Sequence, residues 1–557
     1  MHPSSRGRWL PWIARFQPRL SAETTVLAVC LFWALAANHR FMAGALADRP
    51  LGAGLRLVLA LVVATTALHY LLLAPWAGRR TTRPLLTVLV LTTAAAHYFV
   101  VQLNVYLDPA MLRNVLHSEP QEARELLNLE LLAHVLLLGV LPAVLLWRVQ
   151  HRARASTLKA LAWRLGSWVV AALVLVGSVV AVYQPLSSLM RQHKDLRYLL
   201  LPASFIWSTA KALGLDTREA SGPRQVLGAD AQPGHRALAR QAGGKPLVVV
   251  VVLGETARAA NWGLNGYPRD TTPQLAKLPV IHFAPVVSCG TNTEVSVPCM
   301  FAPVGRRDYD EKRIRGSESL LHLLNRAGVQ VHWRDNQSGC KGVCEGLPQD
   351  QVLALNPPGL CADGRCLDEG LLAGLDQRLA RAQGTQLLVL HQLGNHGPSY
   401  FRRYPPAFKH FTPACEQDDL QRCSQAEIVN AYDNALRYTD HVLAQLIQQL
   451  QARASQVDSA VVYVSDHGES LGENNLFLHG LPYAIAPEVQ KRVPMVWWMS
   501  AGFPAAAGVD TACLRQRAQQ PTAHDHLFHS LMALLDVRSS VYAAEHDLTR
   551  ACHTTAP

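Results

Sequence analysis

The sequence predicts a protein of two parts, a bundle of five membrane-spanning helices followed by an α/β domain built on a parallel sheet. Five apolar stretches lie within the first 185 residues, each able to supply the roughly 20 residues that cross a bilayer. After residue 245, continuous β-branched runs alternate with helical patterns, which is typical of a parallel sheet covered on both faces. Ten of the 11 cysteines lie after residue 288, in the second part.

The apolar stretches predict the membrane spans. The first of them is interrupted by Asn38, His39 and Arg40. Buried core helices are the alternative interpretation, but five such stretches in series favour a membrane domain over residues 1–185. No small-residue cleavage site is evident, so a signal peptide is not expected. The five stretches lie near residues 24–44, 55–75, 84–104, 130–149 and 165–184.

Charges in the connecting loops predict the orientation. Arginine and lysine concentrate in the N-terminal arm and after the second and fourth spans, whereas the loop after the third span is acidic. The positive-inside rule then places the N terminus in the cytoplasm and everything after about residue 185 outside. The net charge of +11 comes from scattered residues, without a basic run interleaved with aromatics, so nucleic acid is not an expected partner.

The cysteines agree with an oxidising compartment, where disulfides persist. A zinc–cysteine site is the alternative, although no histidine accompanies the cysteines. Short spacings suggest four pairs and leave a fifth: Cys289/Cys299, Cys340/Cys344, Cys361/Cys366, Cys415/Cys423 and Cys513/Cys552.

Between the two parts, residues 186–244 are expected to lie at the membrane surface. Apolar residues recur at helical spacing with basic residues between them over 186–215, which suits an amphipathic helix. The alternative is that this is the first helix of the soluble domain. Residues 217–244 have little periodicity and are predicted to be a linker, so that the catalytic domain spans 245–557.

Acids and histidines follow the strands of the predicted sheet. The runs "KPLVVVVVLGE", "QLLVLHQLG" and "SAVVYVSDHGE" end at Glu255, at His391 to His396, and at Asp466 and His467. Because ligands bind at the carboxyl ends of parallel strands, these side chains are expected to meet. Two carboxylates and an imidazole make a zinc site with one open position. Taken singly, Asp-His-Gly could be a plain turn and Glu255 a helix cap.

The segment "VVSCGTNTEVSVPCMF" carries the candidate nucleophile. Thr293 lies in a short polar loop between Cys289 and Cys299, and Thr291 and Ser296 are neighbours that could serve instead. A hydroxyl in the open position of a metal would lose its proton far more easily, as metal-bound water does. His396 and His479 stand in polar, glycine-flanked contexts that predict phosphate binding, proton donation or a second metal. His524, His526 and His529 are expected to be helix-start and packing residues instead.

Five motifs together resemble the lipid A phosphoethanolamine transferases, a family that includes the mobile colistin-resistance enzymes. They are "GETARAANWGLNGYPRDTTP", "SCGTNTEVSVPCMF", "WRDNQSGCKGVC", "HQLGNHGPSY" and "VSDHGESLGENNLFLHG". The resemblance covers nearly the whole chain. It implies a five-helix transmembrane domain carrying an α/β/α alkaline-phosphatase-like (sulfatase-like) hydrolase domain, anchored in the bacterial inner membrane with the catalytic domain in the periplasm.

The resemblance also implies roles for individual residues. Zinc would be held by Glu255, Thr293, Asp466 and His467, with Thr293 as nucleophile. His396 and His479 would bind phosphoethanolamine and a second zinc. Ser338 and Lys341 would line the donor pocket. In "NVLHSEPQE", three further residues spaced four apart are expected to share one helix face and contact the donor headgroup, although the family commonly has Thr at the second: Asn114, Ser118 and Glu122. A solvated helix face is the alternative for these three.

The function that the resemblance implies is transfer of phosphoethanolamine from phosphatidylethanolamine to a lipid A phosphate through a covalent intermediate on threonine. Such a monomeric, zinc-dependent enzyme of the membrane would confer polymyxin resistance. A sister transferase acting on core heptose or another periplasmic glycan is the nearest alternative. A membrane metal sensor or a transporter is the alternative of a different class, but neither needs a threonine held between two cysteines.

Overall fold

In the computed structural model the chain forms two compact units. One comprises Met1–Pro109 and Leu127–Ala210, and the other comprises Ala110–Leu126 and Lys211–Pro557. The structure describes residues 17–46, 51–118, 120–152, 156–221 and 223–554. The division predicted from the sequence, at residues 185 and 245, stays a prediction. The segment between the third and fourth apolar helices groups with the second unit, although the chain on both sides of it belongs to the first.

The first unit consists of apolar helices that coincide with the five predicted stretches. Four of them are long and apolar enough to cross a membrane, and a pair bent by 56° makes a fifth if it counts as one span. Trp33, Tyr70, Leu86 and Val90 are buried where these helices pack together. The four helices and the bent pair are Gly54–Trp76, Thr82–Gln102, Leu129–Arg148, Leu158–Ala181, and Ala22–Ala37 with His39–Leu46.

The bend in the first apolar stretch occurs where the polar residues interrupt it. Asn38 is fully buried, and its side chain donates to the carbonyls of Trp33 (2.9 Å) and Leu201 (2.7 Å). It also accepts from the backbone N–H of Leu201 at 2.8 Å. A helix break in an apolar setting exposes backbone groups that need partners. Asn38 therefore satisfies the broken turn and ties it to the chain some 160 residues later.

The segment after the apolar helices is helical, as the amphipathic pattern predicts, over Tyr183–Gln192, Lys194–Leu199 and Ala203–Ser221. The segment 217–244, predicted to be a linker, contains a short helix. A helix, His235–Gln241, buries Arg240, whose Nε donates to Thr385 Oγ1 at 2.9 Å. The prediction missed this helix because a seven-residue element shows little periodicity.

The second unit is built on a seven-stranded sheet. The strands are β1 (Leu247–Gly254), β2 (Ile281–His282), β3 (Gln330–Asp335), β4 (Gln349–Gln351), β5 (Thr385–His391), β6 (Asp458–Ser465) and β7 (Met495–Met499). In spatial order they are β2-β7-β6-β1-β5-β3-β4. The five strands from β6 to β4 are mutually parallel, whereas β7 pairs antiparallel with β6 and β2 pairs antiparallel with β7.

Helices cover both faces of this sheet, giving the predicted α/β/α layers. All eight residues of β1 are buried, with Val249 and Val251 in one core and Val248 and Val250 in the other. This alternation follows from the two-residue period of a strand. Helices Leu320–Arg326 and Leu527–Leu534 belong to the first core, and Gln425–Ala452 covers the second. Shorter helices are Pro109–Leu116, Pro120–Glu125, Thr293–Met300, Glu311–Arg315, Val352–Leu355, Leu375–Ala380, Glu488–Lys491, Phe503–Ala507 and Thr511–Arg517.

The disulfides confirm all the predicted cysteine pairs, including Cys513–Cys552, which close a loop of 39 residues. Cys30 is buried among the apolar helices and is not paired. The zinc–cysteine alternative is therefore wrong. The other four pairs are Cys289–Cys299, Cys340–Cys344, Cys361–Cys366 and Cys415–Cys423.

Asp440 makes the stability of the second unit depend on pH. Its carboxylate accepts from the backbone N–H groups of Gln274 and Leu275, at 2.9 Å each. Burial outweighs these bonds and raises the pKa of Asp440 to about 7. An unfolded aspartate has a pKa of about 3.9. The free energy of unfolding gained from binding this proton is therefore greatest below about pH 3.9, and it is lost as pH rises through 7. We expect thermal unfolding to show a steeper loss of Tm from pH 5 to pH 8 in the wild type than in Asp440→Asn.

The matched control for this prediction is Asp376→Asn, which removes an exposed ion pair with Arg453. This variant should keep the wild-type slope of Tm against pH. Equal slopes in the wild type and Asp440→Asn would contradict the assignment.

Candidate active site

The three predicted metal ligands meet at the carboxyl edge of the sheet. Glu255 follows β1, and Asp466 and His467 follow the adjacent β6. His467 Nε2 lies 3.3 Å from Glu255 Oε1 and 3.4 Å from Asp466 Oδ2. One ligand atom from each of the three lies within 4.8 Å of the others, and all three side chains are buried. This spacing lets one cation contact all three.

The charges of this group call for a cation. Burial and the neighbouring Glu255 raise the pKa of Asp466 to about 7. Burial acts to lower the pKa of His467, but the two carboxylates outweigh it and raise that pKa to about 10. No residue in the described part of the chain donates a hydrogen bond to the buried Asp466 Oδ2. His467 Nδ1 donates to the Gly468 carbonyl oxygen at 2.9 Å. Nε2 is then free to bind a metal, so the residues fit a zinc ion.

Thr293 lies against this group. Its Oγ1 is 3.3 and 3.2 Å from the two carboxylate oxygens of Glu255 and 3.4 Å from His467 Nε2. Thr293 is the first residue of the helix Thr293–Met300, whose N-cap Asn292 accepts from Val295 N. The structure therefore brings together the four residues expected to hold zinc. Thr291 and Ser296 do not compete for this place, because Thr291 donates to the Leu481 carbonyl and Ser296 to the Asp466 carbonyl.

A second histidine group adjoins the first through Glu255. His396 and His479 lie with ring centroids 5.3 Å apart, and their ligand atoms and that of Glu255 fall within 4.8 Å of one another. His479 Nδ1 is 3.2 Å from Glu469 Oε2. Burial raises the pKa of Glu469 well above its ordinary range. The site thus offers a second set of nitrogen and oxygen ligands that shares Glu255 with the first.

Ser338 and Lys341, predicted to line the donor pocket, contact each other, and Lys341 also contacts Glu294, the residue after Thr293. Lys341 Nζ lies 2.5 Å from Ser338 Oγ and 3.2 Å from Glu294 Oε1. Burial acts to raise the pKa of Glu294, but His117, Lys341 and Arg315 outweigh it and hold that pKa well below its usual range. A buried carboxylate among several cations leaves net positive charge beside Thr293.

The three residues of "NVLHSEPQE" do not share one helix face, so that prediction is wrong. Asn114 lies in the helix Pro109–Leu116, and Ser118 lies beyond its end, donating to the Asn114 carbonyl at 2.9 Å. A new helix begins at Pro120, because proline has no N–H and disfavours a helical residue before it. Glu122 belongs to this second helix, but its side chain and residue 119 lie outside the described part of the chain.

Several residues that hold the site were not predicted from the sequence. Gln337 Nε2 donates to Glu255 Oε2 at 2.5 Å, which orients that carboxylate. Asp335 pairs with His391 at 2.7 Å and accepts from the backbone of Gln337. The only local signal was their place beside Ser338 and at a strand end. His524 is a packing residue, as expected: its Nδ1 accepts from Cys289 N, and its Nε2 lies 3.0 Å from the Ser465 carbonyl.

Comparison with known proteins gives two family matches. A sulfatase family model matches residues 248–537, and a model described as phosphoethanolamine transferase EptA/EptB matches residues 65–216. The chain is 37% identical to phosphoethanolamine transferase EptA of Salmonella typhimurium (strain LT2), covering 96% of this chain and 98% of that protein. This chain belongs to the phosphoethanolamine transferase family.

Other members of the phosphoethanolamine transferase family agree over similar lengths. Phosphatidylethanolamine transferase Mcr-1 of Escherichia coli is 36% identical over 94% of this chain and 96% of its own length. The solved structure of the integral membrane protein lipooligosaccharide phosphoethanolamine transferase A (EptA) from Neisseria meningitidis matches with a TM-score of 0.90 and 36% identity, covering 97% of this chain and all of that one. The chain is therefore an inner-membrane protein with a sulfatase-like domain.

Metal binding at the first group can be tested by an isosteric change at Asp466. The Oδ1 of an asparagine could still accept from the backbone N–H groups of Thr256 and His467, as Asp466 Oδ1 does now. The amide nitrogen of the asparagine would replace the carboxylate oxygen Oδ2. We expect Asp466→Asn to fold but to retain at least about tenfold less zinc, measured by elemental mass spectrometry after dialysis against a chelator.

Asp308→Asn serves as the control, because the Asp308 side chain is exposed and pairs with Arg307. This variant should keep the wild-type zinc content. Wild-type zinc retention in Asp466→Asn would show that the metal is held elsewhere.

Proposed function

We propose that this protein transfers phosphoethanolamine from phosphatidylethanolamine to a phosphate of lipid A through a covalent intermediate on Thr293. The observation that carries the proposal is the Thr293 hydroxyl, held within 3.4 Å of Glu255 and His467 in a site built for a cation. Membership in the phosphoethanolamine transferase family supports the transferred group. Lipid A with added phosphoethanolamine carries less net negative charge, so cells making this protein would resist polymyxin and colistin.

The first half of the reaction forms the intermediate. Thr293 Oγ1 attacks the phosphorus of the donor, the bond from phosphorus to the glycerol oxygen breaks, and diacylglycerol leaves. The hydroxyl proton of Thr293 passes to Glu255, whose carboxylate lies 3.2 Å away. The leaving oxygen takes a proton from His396 or His479, whose ligand atoms lie within 4.8 Å of that of Glu255. Phosphoethanolamine then remains on Thr293.

The second half reverses the roles. A hydroxyl oxygen of a lipid A phosphate attacks the phosphorus and gives its proton to the histidine that protonated diacylglycerol. The bond from phosphorus to Thr293 Oγ1 breaks, and the threonine recovers its proton from Glu255. Lys341 Nζ lies 3.2 Å from the carboxylate of Glu294, the residue after Thr293, and contributes positive charge that stabilises the phosphoryl oxygens. Asn114, Ser118, Glu122 and Ser338 are assigned to the donor headgroup. Because donor and product occupy the site in turn, the kinetics should be of the ping-pong type.

Zinc is the proposed metal. It would be held by Glu255, Thr293, Asp466 and His467, where it would lower the pKa of the Thr293 hydroxyl and offset charge on the phosphoryl oxygens. As the alternative to proton donation by these histidines, the group of Glu255, His396 and His479 would take a second zinc during turnover.

We place the protein in the membrane as a monomer with five passes, its N terminus in the cytoplasm and its sulfatase-like domain in the periplasm. The four long apolar helices and the bent pair support the number of passes. The basic loops support the orientation, and the five disulfides suit an oxidising compartment.

The assignment of Thr293 is tested by replacing it. In Thr293→Ala, transfer should fall by at least about 10³-fold, since no covalent intermediate can form. Thr293→Ser keeps the hydroxyl and should retain measurable activity. The measurement is mass spectrometry of lipid A from cells expressing each variant, together with detection of a protein adduct after incubation with headgroup-labelled phosphatidylethanolamine.

Two results would overturn parts of the proposal. A labelled adduct on purified Thr293→Ala would exclude Thr293 as the nucleophile. An adduct on the wild type without any gain of phosphoethanolamine on lipid A would move the acceptor to core heptose or another periplasmic glycan.

A further inference from the structure

The segment Ala110–Leu126 is part of the catalytic unit although it lies between two apolar helices in the chain. Its first helix reaches the site at Gly480, where an added Cβ would lie 2.4 Å from the Met111 side chain. The segment is anchored near both of its ends by buried ion pairs. These anchors use residues that have no part in the proposed reaction, which raises the question of what they position.

The first anchor is on the residue after the nucleophile. His117 Nδ1 lies 3.2 Å from Glu294 Oε1, and Arg113 Nε lies 3.8 Å from Glu294 Oε2. The Glu294 and Arg113 side chains are 1% and 3% exposed. The first helix of the segment is thereby held beside the loop that carries Thr293.

The second anchor is on the loop that carries His396. Glu125 Oε2 lies 2.8 Å from Arg403 Nη2, and the two side chains are 3% and 2% exposed. Arg365 is a second ion-pair partner of the same carboxylate. The bond to Arg403 holds this end of the segment firmly, because removing the carboxylate would take the Glu125 counter-ion from a guanidinium in a poorly solvated place.

Arg403 also binds the backbone of His396. Its Nε donates to the His396 carbonyl oxygen at 2.6 Å, while Nη2 of the same planar guanidinium faces Glu125. A guanidinium has a fixed fork of donors, so the direction of one bond sets the direction of the other. The position of the His396 peptide is therefore linked to Glu125. The His396 ring in turn lies 5.3 Å from that of His479, with its ligand atom near Glu255.

We infer that Glu125 and Arg403 are a positioning pair that sets the His396 backbone, and through it the imidazole that receives the donor headgroup. This inference rests on the proposed function of the same site. Neither residue touches the reacting atoms. The pair acts on donor binding, because it fixes one wall of the headgroup site to the segment that carries Asn114 and Ser118.

The sharpest variant is Arg403→Lys. A lysine keeps the positive charge opposite Glu125 but has a single ammonium in place of the fork, so it cannot make both bonds in the same geometry. If Arg403 only balanced charge, Arg403→Lys would behave as the wild type. If it positions His396, Arg403→Lys and Arg403→Gln should both raise the KM for headgroup-labelled phosphatidylethanolamine about tenfold, with a smaller change in kcat and unchanged zinc content.

The adjacent Arg402 supplies the matched control. Its side chain is 45% exposed and pairs with Asp418 at the surface. Arg402→Lys and Arg402→Gln should leave KM and kcat as in the wild type. Glu125→Gln should raise the donor KM as the Arg403 variants do, and the double variant Glu125→Gln/Arg403→Gln should add little to either single change.

Hydrogen exchange of the full-length protein tests the pair without turnover. Exchange over residues 120–126 and 393–400 should rise in both Glu125→Gln and Arg403→Lys and stay unchanged in Arg402→Lys. A wild-type donor KM or wild-type exchange in Arg403→Lys would overturn the inference, as would an equal shift in Arg402→Lys. If the wild type fails to turn over the donor at all, the proposed function fails, while hydrogen exchange still decides whether the pair holds the His396 loop.

Discussion

The site is organised around two carboxylates that are forced together in the interior. Glu255 and Asp466 follow adjacent parallel strands and approach the same imidazole nitrogen of His467 at 3.3 and 3.4 Å. The ligand atoms of the two carboxylates lie within 4.8 Å of each other in the interior, where like charges are unfavourable unless a cation lies between them. The turn after β6 requires a glycine at position 468, because a Cβ there would lie 2.0 Å from the Val489 carbonyl oxygen. The sheet itself therefore creates a concentration of negative charge that a metal ion would neutralise.

Residues around the two carboxylates fix the positions of the groups that line the site. His524 and the Cys289–Cys299 disulfide hold the loop that presents Thr293, and Gln337 turns the Glu255 carboxylate. The Asp335–His391 pair orders the loop that bears Gln337. Each of these contacts removes conformational freedom from a group that must meet the donor phosphate in one geometry. Preorganisation of this kind is what lets fixed charges stabilise developing charge without reorganising during the reaction.

The sequence was sufficient for residues whose chemistry follows a recognisable local element. Glu255, Asp466 and His467 could be predicted because each follows a buried strand, and the carboxyl ends of parallel strands meet. The disulfides could be predicted because short spacings leave few partners. The break between the helices Pro109–Leu116 and Pro120–Glu125 does not follow from the spacing of four residues between Asn114, Ser118 and Glu122, which predicts one continuous helix. Gln337 has only the weak signal of its place beside Ser338, and Glu294 has no local pattern.

By itself, then, the amino-acid sequence determined the apolar helices, the α/β/α layers, the cysteine pairs and the acids and histidine that meet at the strand ends, because hydrophobic periodicity and strand-end chemistry are local properties. Only the tertiary structure decided which charges meet. Glu125 and Arg403 are 278 residues apart in the sequence. Arg113 lies in a helix between two apolar helices of the chain, and its partner Glu294 lies in a helix that comes after strand β1. Such pairs form because burial leaves a charge no partner except the one that packing brings to it, and packing is a property of the whole chain.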